Sequence, residues 1–93
     1  QMYLIKSPNA DKKYRAVFSD GKKIDFGATG YPDYTQPPHD KERRARYLTR
    51  HRGNESWNNP RTAGSLSRWI LWGDSTSIQQ NLADFKRKFA GKI

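Results

Sequence analysis

The sequence predicts a small α+β domain, with an antiparallel β-hairpin or small sheet at the N-terminus followed by three helices. A length of 93 residues leaves room for one hydrophobic core, so residues 1–93 are expected to form a single domain. The first third alternates apolar and polar residues, whereas the remainder carries helix caps and apolar residues at helical spacing. Gln1 ahead of Met2 is interpreted as the remnant of an expression tag.

Three short segments predict the strands. Residues 3–5 form an apolar run, and residues 14–18 and 23–26 alternate between apolar and polar side chains. Between the two alternating segments, Asp20-Gly21 tolerates the positive φ that a tight hairpin turn requires. The first third is therefore predicted to be antiparallel β-structure.

Residues 28–38 are rich in Gly, Pro and Tyr and predict a loop. The adjacent Pro37 and Pro38 forbid a helix across them. Tyr31 and Tyr34 are expected to anchor this loop onto the core, and exposed platforms for stacking bases are the alternative.

Three helices are predicted after the loop. The first has Asp40 as its N-cap and runs to about Arg52, before Gly53. The second covers residues 60–72, with Asn59 as its cap, and the third opens at Ser77. The apolar stripes expected to face the core are Leu66, Trp69, Ile70 and Gly73 on the second helix, and Ile78, Leu82, Phe85 and Phe89 on the third.

The charge of the chain indicates an anionic partner. Eighteen Lys and Arg against nine Asp and Glu leave a net charge of +9, and the isoelectric point is about 10.1. Such an excess attracts nucleic acid, an anionic membrane or an acidic protein surface. No apolar run approaches the roughly 18 residues of a membrane span. At this isoelectric point nucleic acid is the favoured partner, and no membrane partner is expected.

The helix from Asp40 to Arg52 holds the densest positive charge. Arg43, Arg46 and Arg50 recur at helical spacing and share a face. Guanidinium groups bind phosphate through two parallel hydrogen bonds, which favours phosphate or an acidic partner here over a merely solvated face. The candidate nucleic-acid-binding residues of the whole chain are Lys12, Lys13, Lys22, Lys23, Lys41, Arg43, Arg44, Arg46, Arg50, Arg52 and Arg61.

Some of these cations have a structural interpretation as well. Lysines at strand ends, such as the pairs Lys12-Lys13 and Lys22-Lys23, also deter edge-to-edge aggregation. Arg61 could bond a carbonyl or a carboxylate. These alternatives are open at the level of sequence.

The sequence offers little for catalysis. The chain has no cysteine, and neither His39 nor His51 has a metal-binding spacing to Asp or Glu. Asp33, Asp40 and Glu42 faintly resemble the carboxylates of a metal-dependent nuclease, but the spacing is short and the lysine is missing. No enzyme activity, metal site or cofactor is therefore predicted.

Two specific motifs, Tyr-Leu-Thr-Arg-His at 47–51 and Arg-Trp-Ile-Leu-Trp at 68–72, are part of a pattern that covers about residues 13 to 89. In this pattern the chain resembles a family of small basic proteins encoded by large double-stranded DNA viruses of algae and amoebae. That family has no assigned activity. The resemblance implies a viral context, in the virion or the infected cell, and no catalytic residues.

The function expected from these observations is non-catalytic binding of nucleic acid, such as packaging of duplex DNA with weak sequence preference. The alternative is a minor capsid or virion-assembly protein that docks an acidic protein surface. A metal-dependent nuclease is a distant third.

Overall fold

The computed structural model describes residues 1–53 and 57–93 and confirms the α+β class. Three strands precede three helices, and a π-helical turn continues the second helix. The elements are β1 (Met2–Lys6), β2 (Lys12–Phe18), β3 (Lys23–Ala28), α1 (Lys41–His51), α2 (Ala63–Leu66), the π-helical turn (Ser67–Leu71) and α3 (Ile78–Lys88). Within the two described ranges, no helix is both long and apolar enough to cross a membrane.

The three strands form one antiparallel sheet in the order β1-β2-β3. Its register places Tyr14 opposite Phe26 and Ala16 opposite Ile24, so the alternating residues meet on one face, as their pattern predicts. Gly21 has a φ of 92°, which confirms the expected hairpin turn. This inner face of the sheet packs against the helices. The buried apolar core consists of Met2, Ala16, Phe18, Phe26, Leu66, Ile70, Leu71, Phe85 and Phe89.

The second helix begins later than predicted. It was expected to start at Pro60, but its first residue is Ala63 and its N-cap is Thr62, whose hydroxyl accepts a backbone N–H of the first turn. Asn59 caps a separate turn, because its side-chain oxygen accepts the N–H of Arg61 at 3.1 Å. Two cap-forming side chains compete in this segment, and the downstream one begins the helix.

The π-helical turn shifts the apolar stripe that ideal helical spacing predicts. The N–H of Trp72 donates to the carbonyl of Ser67 at 3.0 Å, five residues back in the chain. Ile70 is buried as predicted, and Leu71 is buried beside it. Trp69, expected in the core, is only half-buried.

The third helix begins at the predicted cap. The Ser77 hydroxyl accepts the N–H of Gln80 at 3.2 Å, but the Gln80 side chain donates to Asp84 instead of completing the reciprocal capping box. Phe85 and Phe89 are buried, which confirms that this stripe faces the core.

A buried amide joins α3 to the end of the π-helical turn. The Asn81 side chain donates to the carbonyls of Ile70 at 2.9 Å and Ser75 at 2.7 Å. Gly73 lies tightly against it: an added Cβ would be 2.4 Å from the carbonyl oxygen of Trp69 and 2.7 Å from Cγ of Asn81. The chain can make this turn only because residue 73 has no side chain.

Candidate nucleic-acid interface

The first helix presents its predicted arginine face to solvent. Asp40 caps the helix by accepting two backbone N–H groups of the first turn, at 2.9 and 3.1 Å. Arg43, Arg46 and Arg50 are exposed, and we call them the outer arginine face. Tyr47, on the same helix, is buried.

Arg44, also predicted to bind nucleic acid, turns inward and holds the fold. Its Nε donates to the carbonyls of Trp72 at 3.1 Å and Gly73 at 3.0 Å, and its Nη2 lies 2.9 Å from Asp74. Arg68 donates to the same Trp72 carbonyl at 3.0 Å. Burial, and then the charge of Arg44, lower the pKa of Arg68. We call Arg44 and Arg68, together with Asp74 and the carbonyls of Trp72 and Gly73, the arginine junction.

A cavity of about 370 Å³ opens between the sheet, the loop that follows it, α1 and the start of α2. We call it the cationic cavity. Phe26 and Leu71 contribute the apolar part of its lining. The rings of Trp72 and Tyr47, which also line it, stack with centroids 4.5 Å apart and planes 8° from parallel.

The charged part of the lining is positive. Lys12 reaches the cavity from β2, and Arg43 and Arg50 reach it from α1. Among the described residues, Asp33 is the one carboxylate in the lining, and it is ion-paired with Nζ of Lys13 at 2.6 Å. Because this pair is neutral overall, Lys12 and Arg43 leave the cavity attractive to an anion.

The two loop tyrosines have different positions. Tyr34 is 8% exposed and lies under the guanidinium of Arg44, so the prediction that it anchors the loop is confirmed. Tyr31 is 69% exposed beside the cavity, so the same prediction is wrong for this residue. Its carbonyl accepts from Lys13 at 2.6 Å, so the backbone is anchored there and the ring is not.

The hairpin lysines lie at two separate ends of the sheet. Lys12 pairs with Ala28 at the open end, whereas Lys23 pairs with Val17 near the turn. The two ends are about 17 Å apart at the usual rise per strand residue. Lys22 and Lys23 are exposed at the turn and do not line the cavity.

The remaining predicted cations differ in whether they are engaged within the fold or exposed. Arg61 pairs with Asp20 at 2.6 Å and covers the ring of Phe18 at 4.5 Å, so it is engaged within the fold. Lys41 and Arg52 are exposed at the two ends of α1.

The carboxylates of the faint nuclease pattern have structural roles. Asp33 is 4% exposed, is ion-paired with Lys13, and accepts the N–H of Thr35 at 2.7 Å, which makes it a buried turn residue. Asp40 is the helix cap. In the described part of the chain, no three His, Asp or Glu side chains are grouped to hold a metal ion.

The cavity itself was not predicted from the sequence, and the exposure of Tyr31 was only the alternative to its role as an anchor. The positions of Trp72 and His51 in the cavity lining were not predicted either. The nearest local signal was the density of Gly, Pro and Tyr after β3, which is typical of a loop with a defined shape.

Comparison with known proteins adds one finding. A model described as a family of unknown function (DUF5754) matches residues 2–51, which is just over half of the chain. This match includes the sheet, the loop and α1, and thus Lys12, Tyr31 and the outer arginine face. No curated protein and no solved structure matches the chain.

Proposed function

The chain belongs to the family of unknown function DUF5754, and we propose that it is a non-catalytic nucleic-acid-binding protein that holds phosphates. One observation carries the proposal: Arg43 of α1 and Lys12 of β2 line a single concave surface, and the carboxylate in it is neutralised by Lys13. Two cations from separate elements meeting in a concave surface focus the field on an anion.

The type and placement of the cations support a phosphate partner. Within residues 1–53 and 57–93, the side chains of Lys12, Arg43 and Arg46 form no hydrogen bond or ion pair. Their charge is therefore available to a partner, in contrast to that of Arg44 and Arg61. Contacts to phosphate carry no sequence information, so weak sequence preference follows. In the viral setting that the resemblance implies, such binding would coat or condense a genome.

Salt dependence tests the proposal. If about five phosphates are neutralised, the logarithm of the affinity for a mixed-sequence duplex falls with the logarithm of salt concentration at a slope near −4.5. The double variant Arg43→Gln/Arg46→Gln should reduce this slope by about two units on every sequence. Fluorescence anisotropy in a salt titration measures both slopes.

A matched control removes the same charge elsewhere. Lys22→Gln/Lys23→Gln lies at the turn of the hairpin, outside the cavity, and should weaken binding less. Equal losses of duplex affinity in the two double variants would show that α1 is not the docking surface. A duplex that is not bound at low salt would overturn the proposal, and nicking of a supercoiled plasmid with Mg²⁺ or Mn²⁺ would overturn its non-catalytic part.

An acidic protein surface is the second candidate partner, as in a virion-assembly role. Tyr3 and Ile5 of β1 are 57% and 42% exposed, and an exposed apolar pair favours a protein contact. A chain with this function would bind a polyglutamate peptide at low salt while leaving duplex DNA unbound.

A further inference from the structure

The cationic cavity has the size of a site for one small group. Its volume of about 370 Å³ is at the lower end of the roughly 300–1,000 Å³ found for small-ligand sites. A base pair inside a duplex cannot enter a concave site of this kind unless a base is extruded from the stack, which costs free energy. A nucleotide of a single strand meets no such cost.

Tyr31 supplies an aromatic surface at this site. The ring is 69% exposed, while the backbone is held by the 2.6 Å hydrogen bond from Lys13 to the Tyr31 carbonyl. The following Pro32 further restricts the backbone of Tyr31. An aromatic ring in solvent on an anchored backbone is a preorganised platform for stacking a base.

The phosphate of the same nucleotide has its own partners in the lining. Lys12 and Arg43 lie on different elements and both reach the cavity. Asp33, which would repel a phosphate, is already ion-paired with Lys13. The site therefore combines cations and an aromatic ring, the two features that proteins use to bind single strands.

We propose that the cationic cavity receives one unpaired nucleotide, with its phosphate held by Lys12 and Arg43 and its base stacked on Tyr31. This inference rests on the proposed function and specifies the form of nucleic acid that it favours. Single strands and overhangs bind more tightly than a blunt duplex. DNA and RNA share the required chemistry, so both are included in the test.

The test compares exposed tyrosines in the full chain. Fluorescence anisotropy is measured with labelled single strands of roughly twelve nucleotides, as DNA and as RNA, and with the blunt duplex of the same sequence. Tyr31→Leu should lower single-strand affinity about tenfold, as expected from the loss of one base–aromatic stack, and should change duplex affinity less than about twofold. Tyr31→Phe keeps the ring and should retain the wild-type affinities.

Tyr3→Leu is the matched control, because Tyr3 is also an exposed tyrosine but lies on β1 outside the cavity. It should leave all affinities unchanged, and unchanged melting temperatures show that each variant is folded. An unchanged single-strand affinity in Tyr31→Leu, or an equal loss in Tyr31→Phe, overturns the stacking proposal. If the duplex is still bound with a steep salt slope, the proposed function survives that result. A chain that binds no nucleic acid at low salt overturns both.

Discussion

Arg43 and Arg44 are neighbours on α1, yet they belong to two regions with opposite properties. Arg43 lies on the outer arginine face, where its guanidinium makes no hydrogen bond or ion pair within residues 1–53 and 57–93. Arg44 lies in the arginine junction, where it bonds two backbone carbonyls and Asp74. The net charge of +9 therefore does not measure the charge available to a partner.

The comparison also shows how an arginine can stabilise a fold without a buried carboxylate. The carbonyl of Trp72 accepts from both Arg44 and Arg68, and the Arg68 guanidinium lies 4.2 Å from the ring centroid of Trp69. Backbone oxygens and aromatic faces are both electron-rich and therefore stabilise the cations. Removing a positive charge from the arginine junction and removing one from the outer arginine face should consequently change the free energy of unfolding by different amounts.

The largest expected effect comes from the packing beneath the arginine junction. In Gly73→Ala the new Cβ would clash with the backbone carbonyl of Trp69 and with the Asn81 side chain, which itself donates to the carbonyls of Ile70 and Ser75. We expect a loss of about 3 kcal/mol or more in the free energy of unfolding, measured by urea denaturation. Gly53→Ala is the control, because a Cβ at Gly53 would have no heavy atom of residues 1–53 and 57–93 within 4 Å beyond its chain neighbours. A Gly73→Ala protein as stable as that control would show that the junction is loosely packed.

Arg44→Gln against Arg43→Gln tests the comparison directly. Gln has a helix propensity close to that of Arg, so the helix itself is little affected by either change. Arg44→Gln leaves the Gly73 carbonyl without its donor and should cost about 2–3 kcal/mol. Arg43→Gln should cost less than about 0.5 kcal/mol. Thermal or urea unfolding measures the stability of both variants. Equal losses of stability would show that the two regions do not differ in the way proposed.

The smallest expected effect concerns a third arginine, Arg15, on the outer face of the sheet. Its hydrogen bonds to Asp25, at 2.7 and 3.1 Å, lower the pKa of that carboxyl below its usual value of 3.8. A lowered pKa in the folded state contributes stability above the unfolded pKa, and this contribution is lost as the pH falls through the folded value. Asp25→Asn should therefore be less stable than the wild type at neutral pH.

The stability gap between Asp25→Asn and the wild type should narrow below about pH 4. Melting temperatures measured from neutral pH down to about pH 3 follow this gap. A gap that stays constant with acid would show that Asp25 acts by packing and not through its charge.

Much of the fold was predictable because its signals are local. The alternation that places Tyr14 opposite Phe26, and the caps Asp40 and Ser77, depend on residues only a few positions apart. The errors arose where local signals competed. Asn59 and Thr62 are both good caps, and the sequence does not show which one begins the helix.

The candidate site was predictable in part for the same reason. Helical spacing alone places Arg43 and Arg46 on one face. It also placed Arg44 among the binding residues, because nothing near it in the chain indicates its partners. Those partners, the carbonyls of Trp72 and Gly73, come from a distant turn.

The sequence by itself determined the α+β class, the hairpin, the caps of the first and third helices, and the excess of positive charge. The tertiary structure alone decided which cations are available, that Tyr31 is exposed while Tyr34 is buried, and that Lys12 and Arg43 line one cavity. The physical reason is the distance along the chain between the residues that interact. Caps, turns and periodicity arise between residues close in the chain, whereas the engagement of a guanidinium or a ring depends on groups that only packing brings near.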